Sequence, residues 1–164
     1  MWLGLKKYEK VATGGTFDHI HVGHGRLLDK SFEVGDTVVI GVTSDEFVRK
    51  LGKQPDYTYK ERVRQLGSYL QKNFSGRKYV IAKLHDFFGP GITSPEVEAI
   101  VVSPETAARV PLANKLRAEK GFSPLQVVTI EKVLAEDGRP VSSTRIRKGE
   151  IDTEGRLVGG KEVE

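Results

Sequence analysis

The chain has 164 residues and no cysteine, which excludes disulfide bonds and zinc sites built on thiolates. It carries 26 Lys and Arg against 22 Asp and Glu, a net charge of +4 that suits an anionic small-molecule substrate, and it lacks the long basic run of a nucleic-acid-binding segment. No apolar run is long enough to span a membrane, and the first residues lack a signal-peptide pattern. We therefore expect one folded domain over residues 1–164, in the cytoplasm, with neither a membrane nor a nucleic acid as partner.

Predicted strands and helices alternate along the chain. Five apolar segments are predicted as strands: residues 10–13, 36–43, 78–84, 97–103 and 125–133. Helices are predicted where apolar residues recur at helical spacing: residues 22–32, 44–51, 59–74, 104–120 and a short last helix from Thr144. This order indicates an α/β fold, a doubly wound parallel five-stranded sheet with helices on both faces. The polar residues from Thr153 onwards are predicted to be loosely held.

The loop after the first predicted strand has the features of a phosphate-binding loop. In a parallel sheet ligands bind beyond the carboxyl ends of the strands, and this loop lies there. Gly14 and Gly15 let the backbone approach a ligand, and Thr16 adds a hydroxyl. The helix that follows presents free N–H groups and the positive end of its dipole. A glycine pair alone also fits a tight turn, and the loop is neither a Walker A motif nor G-x-G-x-x-G.

Three of the four histidines lie in or just after this loop, at His19, His21 and His24. On a first helical turn His21 and His24 share a face, and Gly23 between them leaves room for a ligand. A metal site would need Asp18 or His19 as further ligands, and adjacent positions in a tight turn rarely converge. A covalent nucleophile would need the H-x-H-x-H spacing of the histidine-triad enzymes, which is absent. Donation from His21 and His24 to phosphate oxygens is the favoured interpretation, and His19 is predicted to cap or fill the turn.

Two signatures at opposite ends of the chain carry a family resemblance. GGTFDHIHVGH, residues 14–24, resembles the G-T-F-D…H-x-G-H signature of the nucleotidyltransferase superfamily, and VSSTRIR, residues 141–147, resembles its second signature, I-S-S-T-x-x-R. Three stretches between them, YTYKERVRQL, KLHDFFGPGITSPEVEAIVVSPET and VPLANKLRAEKG, are similar to the archaeal and eukaryotic type of phosphopantetheine adenylyltransferase. The resemblance covers about residues 8–151 and implies the Rossmann-like nucleotidyltransferase fold.

The resemblance implies a reversible reaction of ATP with 4′-phosphopantetheine that gives dephospho-coenzyme A and pyrophosphate. Direct in-line attack by the substrate phosphate needs no general base, so positioning and electrostatics do most of the work. The implied cofactor is Mg²⁺, which enters with ATP and has no protein side chain as ligand.

The resemblance also implies site residues. His24 is expected to bind the α-phosphate and stabilise the transition state, and His21 to contact the triphosphate. The Thr16 hydroxyl and the backbone N–H groups of Thr16 and Phe17 are expected to hold the reacting phosphates. The other implied ATP-binding positions are Gly14, Gly15, Asp18, Gly23, Ser103, Glu105, Ser142, Ser143, Thr144 and Arg145, with Arg147 as the alternative to Arg145.

For the pantetheine phosphate the implied cation is Lys53, with Lys50 as alternative. Arg62 is expected either to reach phosphate or to form a surface pair with Glu61 or Asp56. Phe87 and Phe88 either line the pantetheine arm or plug the space under a long loop. Ser142 and Ser143 could alternatively be plain helix caps, and Glu105 could act only on its own helix.

Other functions stay open on the signatures alone. A cytidylyltransferase, an NMN adenylyltransferase or an FAD synthetase would carry the same two signatures, and a nucleotide-binding module without turnover could keep the fold. Only the middle of the chain favours phosphopantetheine as acceptor.

Overall fold

Five parallel strands form one central sheet in the computed structural model, which describes residues 7–159. The strands are β1 (Tyr8–Gly15), β2 (Gly35–Thr43), β3 (Lys78–Leu84), β4 (Ala99–Val102) and β5 (Gln126–Thr129). Their order across the sheet is β3-β2-β1-β4-β5, and every neighbouring pair is parallel. The chain therefore winds in one direction from β1 to β3 and in the other from β4 to β5, which confirms the predicted doubly wound sheet.

Helices cover both faces of this sheet. The helices of the described residues are α1 (Val22–Val34), α2 (Asp45–Lys50), α3 (Tyr59–Asn73), α4 (Pro90–Thr93), α5 (Pro104–Ala107), α6 (Val110–Glu119) and α7 (Ser143–Arg147). Val38 and Ile40 of β2 face the apolar layer formed with α1 and α3, whereas Val39 faces the layer formed with α6. A strand covered on both faces needs apolar residues at consecutive positions, which explains its β-branched run. Across residues 7–159 no helix combines the length and the apolarity that crossing a membrane requires.

The helix predicted over residues 104–120 is in fact two helices, α5 and α6. Pro111 explains the break, because it has no N–H to donate and its ring clashes with the carbonyl four residues earlier, at Ala107, where α5 ends. The strands predicted over 97–103 and 125–133 are also too long. Both β4 and β5 have four residues, and β5 lies at the edge of the sheet, where only β4 can pair with it.

The prediction of a loosely held segment from Thr153 is wrong for residues 153–159. The carbonyl of Thr153 accepts the N–H of Val22, the first residue of α1, at 3.0 Å, and Gly155 accepts the N–H of Glu136 at 2.9 Å. Hydrogen bonds between backbone groups hold this segment, and they do not depend on the type of side chain. The polarity of its side chains was therefore a poor guide to whether the segment is held. This segment supports the end of α1 at which the histidines lie; residues 160–164 lie outside the described residues.

Candidate active site

Two adjoining cavities open at the carboxyl end of the sheet, where β1 and β4 lie side by side and the winding direction reverses. Their volumes are about 420 Å³ and about 350 Å³. Thr16, His21, His24, Lys53 and Ser142 line both. The reversal point of an open parallel sheet is where ligands bind in this architecture, because loops diverge there and leave a crevice.

Most of the predicted site residues meet at these cavities. The larger one is lined by ten of them: Gly14, Gly15, Thr16, His21, Gly23, His24, Lys53, Ser103, Glu105 and Ser142. The smaller one adds Ser143, Thr144 and Arg147. The two signatures touch directly, since the Ser143 hydroxyl donates to the Asp18 carbonyl at 2.5 Å.

His21 and His24 cap the start of α1 reciprocally. Nδ1 of His21 accepts the N–H groups of Gly23 at 3.0 Å and His24 at 3.4 Å, and Nδ1 of His24 accepts the N–H of His21 at 3.2 Å. A ring nitrogen that accepts a hydrogen bond carries no proton, so the neutral form of each ring has its proton on Nε2. No acceptor within residues 7–159 takes either Nε2–H, and both rings line the cavities. The cap thus presents two N–H donors to a ligand.

Both histidines are neutral near pH 7. Burial, with a smaller contribution from His19, lowers the pKa of His21 to about 4. Burial, and secondly the neighbouring His21, lowers the pKa of His24 well below its ordinary value. The two rings stack with centroids 3.8 Å apart. If both rings were protonated, the repulsion between their charges would destabilise this stack. His24 also packs against the buried ring of Phe17, at 4.8 Å between centroids.

Gly23 is required by the position of the His21 ring. A Cβ at residue 23 would lie 2.8 Å from Cε1 and 3.0 Å from Nδ1 of His21. These separations are shorter than van der Waals contact, so a side chain there displaces the ring and breaks its cap. Steric demand at the histidine pair explains the glycine in the H-x-G-H stretch.

Arg62 supports the Thr16 loop from inside the protein. Its side chain is fully buried, and it donates from Nη1 to the Thr16 carbonyl at 2.8 Å and from Nε to the Tyr57 carbonyl at 3.0 Å. Nη2 pairs with the Asp45 carboxylate at 3.0 Å. Both predicted roles of Arg62, a phosphate contact and an exposed ion pair, are therefore wrong. A buried guanidinium needs acceptors within the protein, and these acceptors lie around the loop that it supports.

Four further predicted binding residues do not line either cavity among residues 7–159: Phe17, Asp18, Lys50 and Arg145. Arg145 pairs with Asp137 at 2.5 Å and with Glu150 at 2.8 Å. The hydrogen bond from Arg145 is the main cause that lowers the pKa of Asp137 to about 2. Arg145 is thus engaged by carboxylates, and of the two predicted alternatives it is Arg147 that lines the smaller cavity. Lys50 is exposed at the last residue of α2.

Asp18, His19 and Asp56 bring one ligand atom each to within 4.8 Å of one another, the one such group of possible metal ligands among residues 7–159. Their acceptors are already engaged. His19 Nε2 lies 2.7 Å from Asp56 Oδ2, and Asp18 accepts the N–H groups of Asp56 and Tyr57. His19 has a φ of 58° and so occupies the left-handed region, which agrees with its predicted place in the turn.

The sequence analysis missed two residues of an apolar wall of the larger cavity, Phe47 and Leu51. This wall is formed by Phe47 in α2, by Leu51 directly after α2, and by Phe87 and Phe88. The ring of Phe87 packs edge-on to Phe47 at 5.2 Å, and the Arg109 guanidinium lies over it at 3.8 Å. Phe88 is buried, as expected of a plug under the loop, and Phe87 is partly exposed, as expected of a cavity wall. The spacing of Phe47 and Leu51 was visible in the sequence but could equally have marked a core-facing stripe.

The model of the cytidylyltransferase-like family matches residues 12–149, a range that holds both signatures and the whole sheet from the middle of β1. The chain belongs to the cytidylyltransferase-like family. All residues that line the two cavities lie within the matched range.

Curated relatives of this cytidylyltransferase-like chain carry a more specific name. It is 45% identical over 148 residues to the phosphopantetheine adenylyltransferase of Methanopyrus kandleri, covering 90% of this chain and 94% of that one. It is 46% identical over 153 residues to the phosphopantetheine adenylyltransferase of Methanothermobacter thermautotrophicus, covering 93% and 92%. Among solved structures, a protein of unknown function from Archaeoglobus fulgidus is similar with a TM-score of 0.66 and 30% identity, covering 74% of this chain and 88% of that one.

Proposed function

We propose that the chain transfers the adenylyl group of ATP to 4′-phosphopantetheine, giving dephospho-coenzyme A and pyrophosphate. The observation that carries adenylyl transfer is the stacked histidine pair, two neutral Nε2–H donors at the start of α1. The curated relatives named phosphopantetheine adenylyltransferase, alike over nine-tenths of the chain, support the choice of acceptor.

The bond changes follow from the substrates. An oxygen of the acceptor's phosphate attacks the α-phosphorus of ATP, and the bond from that phosphorus to the bridging oxygen breaks, so that pyrophosphate leaves. Negative charge builds on the α-phosphate oxygens in the transition state. His24 donates its Nε2–H to these oxygens, and His21 donates beside it towards the triphosphate. The Thr16 hydroxyl and the N–H groups of Thr16 and Phe17 complete the cradle.

The smaller cavity is suited to the leaving pyrophosphate. Ser142, Ser143 and Thr144 bring hydroxyls to it, and Arg147 brings a guanidinium. Arginine binds phosphate oxygens through a planar fork of donors, so it offsets the charge that the leaving group gains. Mg²⁺ enters with ATP. The donor set at these cavities is rich in N–H and O–H groups, which suits a cation held by phosphate oxygens and water.

Lys53 is suited to the acceptor's phosphate. It lines both cavities next to Thr16, and no described residue forms an ion pair with its ammonium group. The apolar wall of Phe47, Leu51 and Phe87 lines the larger cavity together with Lys53 and provides contacts for the acceptor's arm. A positive group between two anionic substrates reduces their repulsion, which is the main obstacle to attack by one phosphate on another.

Ser103 and Glu105 are suited to the adenosine part. They lie at the carboxyl end of β4, and Glu105 pairs across the cavity rim with Lys132. The hydrogen bond from Lys132 is the largest cause that lowers the pKa of Glu105, so the carboxylate is ionised and can accept a ribose hydroxyl.

The test is turnover by the purified protein with ATP, Mg²⁺ and one acceptor at a time. Pyrophosphate release with 4′-phosphopantetheine, and a product with the mass of dephospho-coenzyme A, are expected. Turnover with NMN, FMN, or CTP and an alcohol phosphate, but none with 4′-phosphopantetheine, would assign another acceptor. ATP binding without pyrophosphate release from any acceptor would indicate a nucleotide-binding module. An adenylyl-histidine trapped in the absence of acceptor would contradict direct transfer.

A further inference from the structure

Asp18 carries a fully buried carboxylate, and its partners Ser143 and Arg147 line the smaller cavity. Its Oδ1 accepts the N–H of Tyr57 at 3.1 Å, and its Oδ2 accepts the N–H of Asp56 at 3.0 Å. Its Oδ2 also pairs with Nη1 of Arg147 at 2.8 Å. The carbonyl of Asp18 accepts the Ser143 hydroxyl. One residue of the β1–α1 loop thus joins the segment that precedes α3 to both ends of α7.

The backbone on either side of Asp18 is held in an uncommon conformation. Phe17 has a φ of 56° and His19 a φ of 58°, a region that side chains with a Cβ seldom occupy. Contacts from the surrounding structure hold both residues there. Phe17 is fully buried against His24, and His19 is bonded to Asp56. The bonds of Asp18 lie between these two contacts, so they fix the turn that carries Phe17 and, through it, the ring of His24.

Arg147 is the member of this group that reaches the cavity. Its side chain is 18% exposed and lines the smaller cavity. Of its five N–H donors, one goes to Asp18 and one goes from Nη2 to the Thr144 hydroxyl at 3.2 Å. The donors that remain can bind an anion without breaking the pair with Asp18. Arginine is suited to this double use because its donors lie in one rigid plane.

We infer that Asp18 is a positioning residue that holds Arg147 at the rim of the smaller cavity. The β1–α1 loop and α7 are then joined through Asp18, so that both contribute to binding one triphosphate. Asp18 itself touches no substrate. The inference rests on the proposed function only in taking ATP as the nucleotide.

ATP binding without acceptor tests this inference separately from turnover. Isothermal titration calorimetry with ATP and Mg²⁺ is applied to wild type, Asp18→Asn, Arg147→Gln and the double variant. Asn has the size of Asp, but its NH₂ group would face N–H donors from which the carboxylate of Asp18 accepts hydrogen bonds. We expect each single variant to bind ATP about tenfold more weakly, and the double variant to lie within about twofold of Arg147→Gln, because both changes remove the same positioned guanidinium.

Asp137→Asn is the matched control. Asp137 forms the corresponding pair with Arg145, outside both cavities, so this variant is expected to lower the melting temperature and to keep the wild-type Kd for ATP. An unchanged Kd in Asp18→Asn would overturn the inference, and so would a double variant whose loss is the product of the two single losses.

If Asp18→Asn does not fold, Arg147→Lys decides. It keeps the charge but not the fork, so at least about fivefold weaker binding is expected, and wild-type affinity would overturn the inference. Absence of turnover with 4′-phosphopantetheine leaves these binding results interpretable and bears on the proposed function alone.

Discussion

Replacing Gly23 by alanine separates the histidine geometry from the stability of the fold. The added Cβ would lie 2.8 Å from Cε1 of His21, and the ring can move aside only by giving up the two N–H groups that its Nδ1 accepts. Loss of a helix cap costs about 1 kcal/mol, whereas alanine in place of glycine in a helix gains up to about 1 kcal/mol. The free energy of unfolding should therefore change by less than about 1 kcal/mol, because the two effects nearly cancel.

Activity should respond much more strongly in Gly23→Ala. A displaced His21 ring no longer stacks on His24, so at least one preorganised donor is lost, and removal of one such donor typically lowers kcat by about 10²–10³. The assay is pyrophosphate release at saturating ATP and 4′-phosphopantetheine, with thermal melting on the same samples. Gly67→Ala is the control, since a Cβ there meets nothing within 4 Å in α3 and should raise stability slightly with kcat unchanged. A Gly23→Ala variant with kcat close to wild type would refute the proposed link between cap and catalysis.

Three further outcomes are expected. His24→Ala should lower kcat by about a hundredfold or more while ATP still binds; unchanged turnover would remove His24 from its role. Lys53→Met should raise the KM for 4′-phosphopantetheine by about tenfold, and Lys50→Met, outside the cavities, should leave it unchanged; equal effects would contradict the assignment. Stability should fall as the pH drops from about 6.5 to about 4, because the unfolded chain binds protons in that window while His21, with a pKa lowered to about 4, stays neutral. The effect of His21 amounts to about 3 kcal/mol at full extent, and guanidinium unfolding at pH 7.5 and 4.5 should show a smaller loss for His21→Asn than for wild type.

Local chemistry made the outline of the site predictable. Gly14, Gly15 and Thr16 follow a buried strand and precede a helix, and this order alone favours an anion near the helix start. The alternation of strands and helices placed the loops of the site at one edge of a parallel sheet. The strand over residues 78–84 was also predicted with the bounds that the structure shows, because its apolar run is bounded on both sides by polar residues and turns.

The roles of the buried charges could not be predicted in this way. Arg62 is bonded to Thr16, 46 positions away, and Asp18 is paired with Arg147, 129 positions away. A charged residue in a sequence is compatible with solvent, a ligand or a distant counter-ion, and burial decides among them only after the chain has folded. Arg145 and Arg147 are two positions apart in α7. Both pair with carboxylates, but of the two only Arg147 also lines a cavity.

The sequence by itself determined the parallel α/β sheet and predicted an anion site at the start of α1 and two signatures that bind phosphates, because each depends on neighbouring residues and on hydrophobic period. The tertiary structure alone decided which nitrogen of His21 and His24 carries the proton and why Gly23 must lack a side chain. It also showed that Asp18 and Arg62 lie under the site rather than in it. These features depend on contacts between segments far apart in the chain, whose distances are set only when the sheet and its helices pack together.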